Sequence, residues 1–248
     1  MGHEFEVQKE IAIDATPEQV WEAIATGPGF DSWFMGHSEV QGREGGRMSF
    51  SLLGQRQEST VTHWEPGKRL AYHGDRNADG TFMAFEYLIE GRDGGSTLLP
   101  FVHSGILGGD WQAEYDALKQ GNGMYLLKLA EYLEHFPGKT STYNMFLPGP
   151  QVSDPERAWD VLKSALCLTE TVTAGDPVHL EVHGLEPDDG VVAFVSQPSF
   201  LGARTGKGLY MLIQVYGNTV VEYHSFADDA VTQSFEQAWQ DWLQRSLT

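Results

Sequence analysis

The chain has 248 residues, 41% hydrophobic and 21% charged, a composition that excludes a disordered polypeptide and provides for a real core. It carries 35 acidic against 16 basic side chains, for a formal net charge of −19, and both halves are acidic; such a field repels phosphate backbones and anionic lipid surfaces, so neither nucleic-acid nor membrane binding is expected. No apolar run approaches the roughly 18 residues of a membrane span, the acidic opening Met1-Gly2-His3-Glu4 lacks the apolar stretch of a secretory leader, and the single cysteine, Cys167, allows no internal disulfide, so a cytoplasmic location is expected.

Residues 4–13 alternate, with Phe5, Val7, Ile11 and Ile13 on one face and Glu4, Glu6, Gln8 and Glu10 on the other, which predicts a half-buried strand. Lys9 interrupts the apolar row. A helix start follows: Thr16 as N-cap, Pro17 at the first helical position and Gln19 completing a capping box. Val20, Trp21, Ile24 and Ala25 form its apolar stripe, and Gly27-Pro28-Gly29 is expected to end it. Phe30, Trp33, Phe34 and Met35 make a compact aromatic group. From Ser38 to Ser104 the pattern is strands and turns. Thr60–Trp64 and Arg69–His73 flank Glu65-Pro66-Gly67-Lys68, whose Pro-Gly suits a type II turn, and Thr81–Ile89 and Thr97–Val102 flank Asp93-Gly94-Gly95. Both pairs read as hairpins. Residues 111–136 return to helical spacing, and Pro137-Gly138 stops that helix.

The second half repeats the opening of the first. Pro17-Glu18-Gln19-Val20-Trp21 lines up with Pro155-Glu156-Arg157-Ala158-Trp159. Strand-like runs follow at Val178–Val182, Val191–Val195, Leu209–Tyr216 and Thr219–Phe226, then an amphipathic helix with Phe235, Trp239, Trp242 and Leu243. Cys167, in the apolar stretch Leu162–Leu168, reads as a buried small hydrophobe. The expected organisation is a domain over 1–138 and a shorter, divergent repeat over 139–248.

The motif Ile11-x-Ile13-x-Ala15-x-Pro17-x-x-Val20-Trp21-x-Ala23-Ile24, followed by Trp33-Phe34 and Gly45-Gly46, resembles the SRPBCC (START-like) superfamily, and within it the homologues of the heat-shock-protein-90 ATPase activator. Val61-x-x-Trp64-x-Pro66-x-x-Arg69-Leu70, Phe85-Glu86, Gly94-Gly95-Ser96-Thr97-Leu98 and His103-Ser104-Gly105 fit the same group; Gly123-Met124 departs from the Gly-Trp that often opens its last helix. The resemblance covers about residues 5–136. It implies an α+β helix-grip fold, a curved antiparallel sheet around a long C-terminal helix, here in tandem, with a cavity between sheet and helix. Members of the superfamily include binders of apolar small molecules, aromatase/cyclase enzymes and chaperone-associated modules, and fold alone does not choose among them.

The sequence itself offers little catalytic chemistry. Nucleophile signatures such as G-x-S-x-G and S-x-x-K are missing. Gly202-Ala203-Arg204-Thr205-Gly206-Lys207-Gly208 departs from a phosphate loop in spacing and in placing Gly208 where Ser or Thr holds magnesium, so it reads as a surface turn and no cofactor is expected. His179, Glu181 and His183 share one strand face, but the outer pair would be about 13 Å apart, too far for one ion, so no metal is expected either. His37, His63, His73 and His103 lie in the strand region, and Glu86 shares a strand face with Phe82 and Leu88. The aromatic set Trp33, Phe34, Phe50, Trp64, Tyr72, Phe85, Tyr87, Phe101 and Tyr125 reads either as ordinary core packing or as a partial ligand lining, since a helix-grip sheet has more inward positions than one helix can fill.

The leading expectation is binding of a small hydrophobic ligand without catalysis. Trp33, Trp64, Phe85, Tyr87 and Met124 would form the wall, and Tyr72 or His103 would offer a hydrogen bond. The alternatives are a cyclase or aromatase in which a cavity histidine or Glu86 moves a proton, and an interaction module whose acidic surface meets a basic protein partner.

Overall fold

The computed structural model describes residues 2–168, 171–215, 217–228 and 233–248; of the residues named above, Met1 and Tyr216 lie outside the described ones. The chain divides into two compact units, Met1–Thr140 and Ser141–Thr248. Among the described residues no helix is long and apolar enough to cross a membrane.

The first unit opens with β1 (His3–Ile13), whose Phe5, Val7 and Ile13 are buried while the glutamates between them face solvent. Helix α1 (Pro17–Ala25) is nucleated by the expected capping box: the Gln19 amide donates to Thr16 Oγ1 (3.4 Å) and the Thr16 amide to Gln19 Oε1 (2.8 Å). We expect Thr16→Ala to lower the stability of this unit by about 1 kcal/mol, read as a shift in urea midpoint without a change in slope. Gly27-Pro28-Gly29 does more than end α1. It forms a second short helix, α2 (Gly27–Phe30), which packs so closely on the first that a Cβ on Gly29 would lie 2.1 Å from the Glu22 carbonyl oxygen.

The strands β2 (His37–Val40), β3 (Arg47–Leu52), β4 (Gln55–Glu65), β5 (Arg69–Gly74), β6 (Phe82–Leu88), β7 (Glu90–Gly91) and β8 (Thr97–Leu107) follow. They form one antiparallel sheet in the order β1-β8-β6-β5-β4-β3-β2, with β7 also on β8. Both expected hairpins are present, and Gly67 in the first turn takes a φ of +73°, the left-handed conformation that position requires. The sheet wraps the long helix α3 (Trp111–His135), which packs along β1. This is a helix-grip fold.

The second unit repeats the plan with fewer parts: β9 (Tyr143–Pro148), α4 (Pro155–Ser164), β10 (Pro177–Leu180), β11 (Asp188–Ser196), β12 (Phe200–Thr205), β13 (Gly208–Val215), β14 (Asn218–Ser225) and α5 (Gln233–Leu247). Its six strands run β10-β11-β12-β13-β14-β9, so in both units the first strand pairs with the last. Asp154 caps α4 through the Arg157 amide (3.1 Å), and Pro155 opens the helix as Pro17 opens α1. Trp159, Leu162, Leu212, Val221, Trp239 and Leu243 are buried together in one apolar core.

Two expectations are corrected here. Residues 202–205 of the supposed surface turn belong to β12; only Gly206 and Lys207 turn. Gly202 serves packing, since a Cβ there would meet the Phe194 ring at 2.6 Å. Cys167 is exposed, because α4 stops at Ser164 and the chain turns through a φ of +53° at Cys167 itself, which swings the thiol off the core side.

Candidate functional site

The inner face of the first sheet is richer in rings than the helix against it can cover. Along β5, β6 and β8, Tyr72 lies opposite Phe85, and Phe85 opposite His103. Cross-strand partners share a face, so three strands deliver one continuous row. Tyr72 stacks on Phe85 at 5.0 Å, and Phe85 on His103 at 4.1 Å. Tyr87 and Phe101 make a second rung at 4.9 Å. Phe34 closes the far side between Phe50 (5.4 Å) and Tyr125 (4.8 Å).

These rings line a cavity of about 490 Å³ that opens to solvent. Helix α3 contributes Ala117, Leu118, Gly121, Asn122 and Tyr125, a stripe at three- and four-residue spacing. Polar groups from Ser49, Gln57 and Ser59 occur on the β3–β4 side. Among the described lining residues there is no Asp, Glu, Lys or Arg.

His103 is a deeply buried polar group of this wall. It is 3% exposed, and its Nε2 is buried without a hydrogen-bond partner. Its Nδ1 meets the Asn122 amide, with Nδ2 at 3.0 Å and Oδ1 at 3.3 Å. Burial disfavours the imidazolium and pulls the His103 pKa down to about 4, against a weaker opposing effect of the Asn122 hydrogen bond. Between the ordinary histidine value of 6.5 and that value the unfolded chain binds the proton and the folded chain does not. The His103 contribution to stability is therefore complete above pH 6.5 and is lost as pH falls towards 4. We expect urea midpoints of the wild type to drop between pH 7 and pH 5 more steeply than those of His103→Phe. Burial likewise holds the phenols of Tyr72 and Tyr87 above the usual tyrosine range, so both stay protonated hydrogen-bonding groups.

Of the residues named from sequence, Trp33, Tyr72, Phe85, Tyr87 and His103 line the cavity, and Trp64 and Met124 do not. A bulge between Val61 and His63 keeps Trp64 on the face of Leu70, yet beyond the end of the cavity, edge-on to Trp21 of α1 at 4.9 Å. Met124 is buried on α3 on the side of Ala117, two turns further along the helix, and packs outside the cavity lining. Glu86 points away from the cavity, because it alternates with Phe85 and Tyr87, and it pairs with Arg69 at 2.6 Å. His37 bonds Asp31 at 2.6 Å near the surface, His63 is exposed, and His73 bonds the Gly74 carbonyl. In the second unit β10 ends at Leu180, so Glu181 and His183 leave the strand, and His179 pairs with Asp189. Sequence reasoning missed Asn122 and Gly121. The signal for Gly121 was present: a glycine in the middle of a helix costs stability and wants a reason.

Residues 14–134 match the family described as "Activator of Hsp90 ATPase homolog 1-like protein". Among curated proteins no match is found. Among solved structures, the chain is similar to a Mesorhizobium loti protein (23% identity, 52% of this chain and 96% of that one, TM-score 0.46). It is also similar to the Aha1 dimer from Colwellia psychrerythraea (24%, 54% and 99%, TM-score 0.45). The di-domain ARO/CYC BexL from the BE-7585A biosynthetic pathway aligns over 98% of both chains at 12% identity and a TM-score of 0.48.

Proposed function

We propose that the first unit, whose residues 14–134 match the family of Activator of Hsp90 ATPase homolog 1-like proteins, binds a small, uncharged, largely apolar molecule, without catalysing its conversion. The observation that carries the reading is the ring-lined cavity of about 490 Å³ with no charged residue among the described wall residues. Such a space is filled, by water or by a ligand. Apolar walls hold water poorly, so a matching apolar molecule displaces it favourably. A charged molecule would be desolvated there with no counter-charge.

His103 suits binding better than proton transfer. General bases work best with a pKa near the operating pH, and burial takes this imidazole down to about 4. It is a neutral hydrogen-bonding group in a greasy pocket.

Trp33 lies in the wall, so occupancy reports on indole fluorescence. Titrating the full chain with a varied panel of lipids and aromatic polyketide-like compounds should give saturable quenching at one site, lost in Trp33→Phe. If no member of that panel binds, the proposal fails.

A further inference from the structure

We infer that the molecule held in this cavity is amphipathic: its apolar body rests on the ring-lined floor, and an uncharged hydrogen-bonding end group, an amide or a hydroxyl, sits at the mouth against Gln57 and Ser59. The inference rests on the ligand-binding reading above and adds the chemical class of the ligand.

The register of β3 against β4 decides which side chains face inward. Gln57 lies opposite Phe50, and Ser59 opposite Met48. Phe50 and Met48 both line the cavity, and the Phe50 ring packs on Phe34 at 5.4 Å. Cross-strand partners share a face, so Gln57 and Ser59 project to that side and line the cavity with them. On its other edge Ser59 pairs with Gly74, so no side chain of β5 stands beside its hydroxyl. The alternate residues of β4, Arg56 and Glu58, face outward. There Arg56 pairs with Glu39 at 2.7 Å and with Glu58 at 3.4 Å. This stretch of β4 keeps its charges on the outer face, paired with one another, and turns only a neutral amide and a neutral hydroxyl to the cavity.

Burial places these two groups at the mouth. Gln57 is exposed and Ser59 half-buried, as are Leu52, Met83 and Leu118 of the same lining. Trp33, Tyr87 and Phe101, also in the lining, are no more than 4% exposed. The cavity runs from a dry aromatic floor to a wet rim. The side chains of Gln57 and Ser59 make no hydrogen bond among the described residues, so at the rim they bond water. A guest that ends in hydrocarbon displaces this water without reproducing its bonds and loses affinity. An amide or hydroxyl end reproduces them, because glutamine offers a donor and an acceptor and serine can act as either. An ionised end meets no opposite charge among the described lining residues, and a carboxylate also meets the field of a chain of net charge −19.

Four compounds on one ring system test this: naphthalene, 2-naphthamide, 2-naphthoate and 2-naphthylmethylammonium. Calorimetry on the full chain near neutral pH should show 2-naphthamide binding about tenfold more tightly than either ion, although amide and carboxylate have the same shape. Replacing both rim residues, Gln57→Leu with Ser59→Ala, should weaken 2-naphthamide about tenfold and leave naphthalene bound at least as tightly as before. Equal wild-type affinities for the amide and either ion would overturn the inference. So would an amide affinity unmoved by the double substitution, or a parallel loss for naphthalene. In each of these cases wild-type binding of naphthalene keeps the cavity reading intact, whereas binding of none of the four counts against both. Should the variant fail to fold, the wild-type ranking decides alone.

Discussion

Replacing Gly121 by leucine will abolish ligand binding while making the first domain more stable. Gly121 lies at the centre of the lining stripe of α3, four residues from both Ala117 and Tyr125. A Cβ built there meets nothing within 4 Å, and its backbone is not among those with positive φ. Neither space nor conformation therefore demands glycine. Exchanging it for leucine removes the helix-propensity penalty of about 1 kcal/mol and buries an apolar side chain in what is now open volume. That side chain occupies the space a guest needs. Thermal melts should show a higher midpoint, and the fluorescence titration should show no saturable quenching. The combination separates a working cavity from incomplete packing. Retained affinity would place the ligand elsewhere, and a lower midpoint would mean that the cavity is closed at Gly121.

Gly105→Ala should do the reverse and unfold the first domain. Gly105 lies in β8, paired with Phe5 on one side and Met83 on the other, so its strand is hydrogen-bonded along both edges. Its φ of +151° is one that side-chain-bearing residues rarely adopt. A Cβ there would stand 2.0 Å from the Phe82 carbonyl oxygen. The obstacle is backbone held in a ladder, and no rotamer change relieves it. The loss combines strain with broken pairing at the strand that carries His103, and should exceed about 4 kcal/mol, at the far end of single-residue effects. Chemical denaturation and calorimetry would read it as a missing or strongly shifted first-domain transition. A shift below about 1 kcal/mol would show that β8 is free to adjust.

Much of this architecture could be read from local patterns, because the elements that carried it obey local rules. The alternation of β1, the Thr16–Gln19 box and the Pro66-Gly67 turn each depend on neighbours in sequence, and each appears as expected. The repeated Pro-Glu-x-x-Trp start likewise marks an equivalent helix in both units. Where the pattern misled, the deciding contact was distant. Gly202 looked like a turn residue because nothing nearby announces the Phe194 ring that needs its empty face. Trp64 has the same chemistry as Trp33, but it lies on β4 edge-on to Trp21, whereas Trp33, just after α2, lines the cavity. Glu86 and the cavity were one strand face apart, an ambiguity that the register of β6 against β5 and β8 settles. Asn122 was invisible because an asparagine on a helix says nothing until the imidazole beside it is located.

In each domain the first strand is sealed against the last, His3–Ile13 against Thr97–Leu107 and Tyr143–Pro148 against Val220–Ser225. A ribosome making this chain releases the opening strand long before its partner exists. That strand must wait through roughly ninety residues of synthesis, a few seconds or more at cellular elongation rates, before its edge can close. Non-local pairing of this kind is slow to form, and its row of alternating apolar side chains stays sticky meanwhile. The glutamates set between them on β1 then have a second use, keeping a nascent edge in water until its mate arrives.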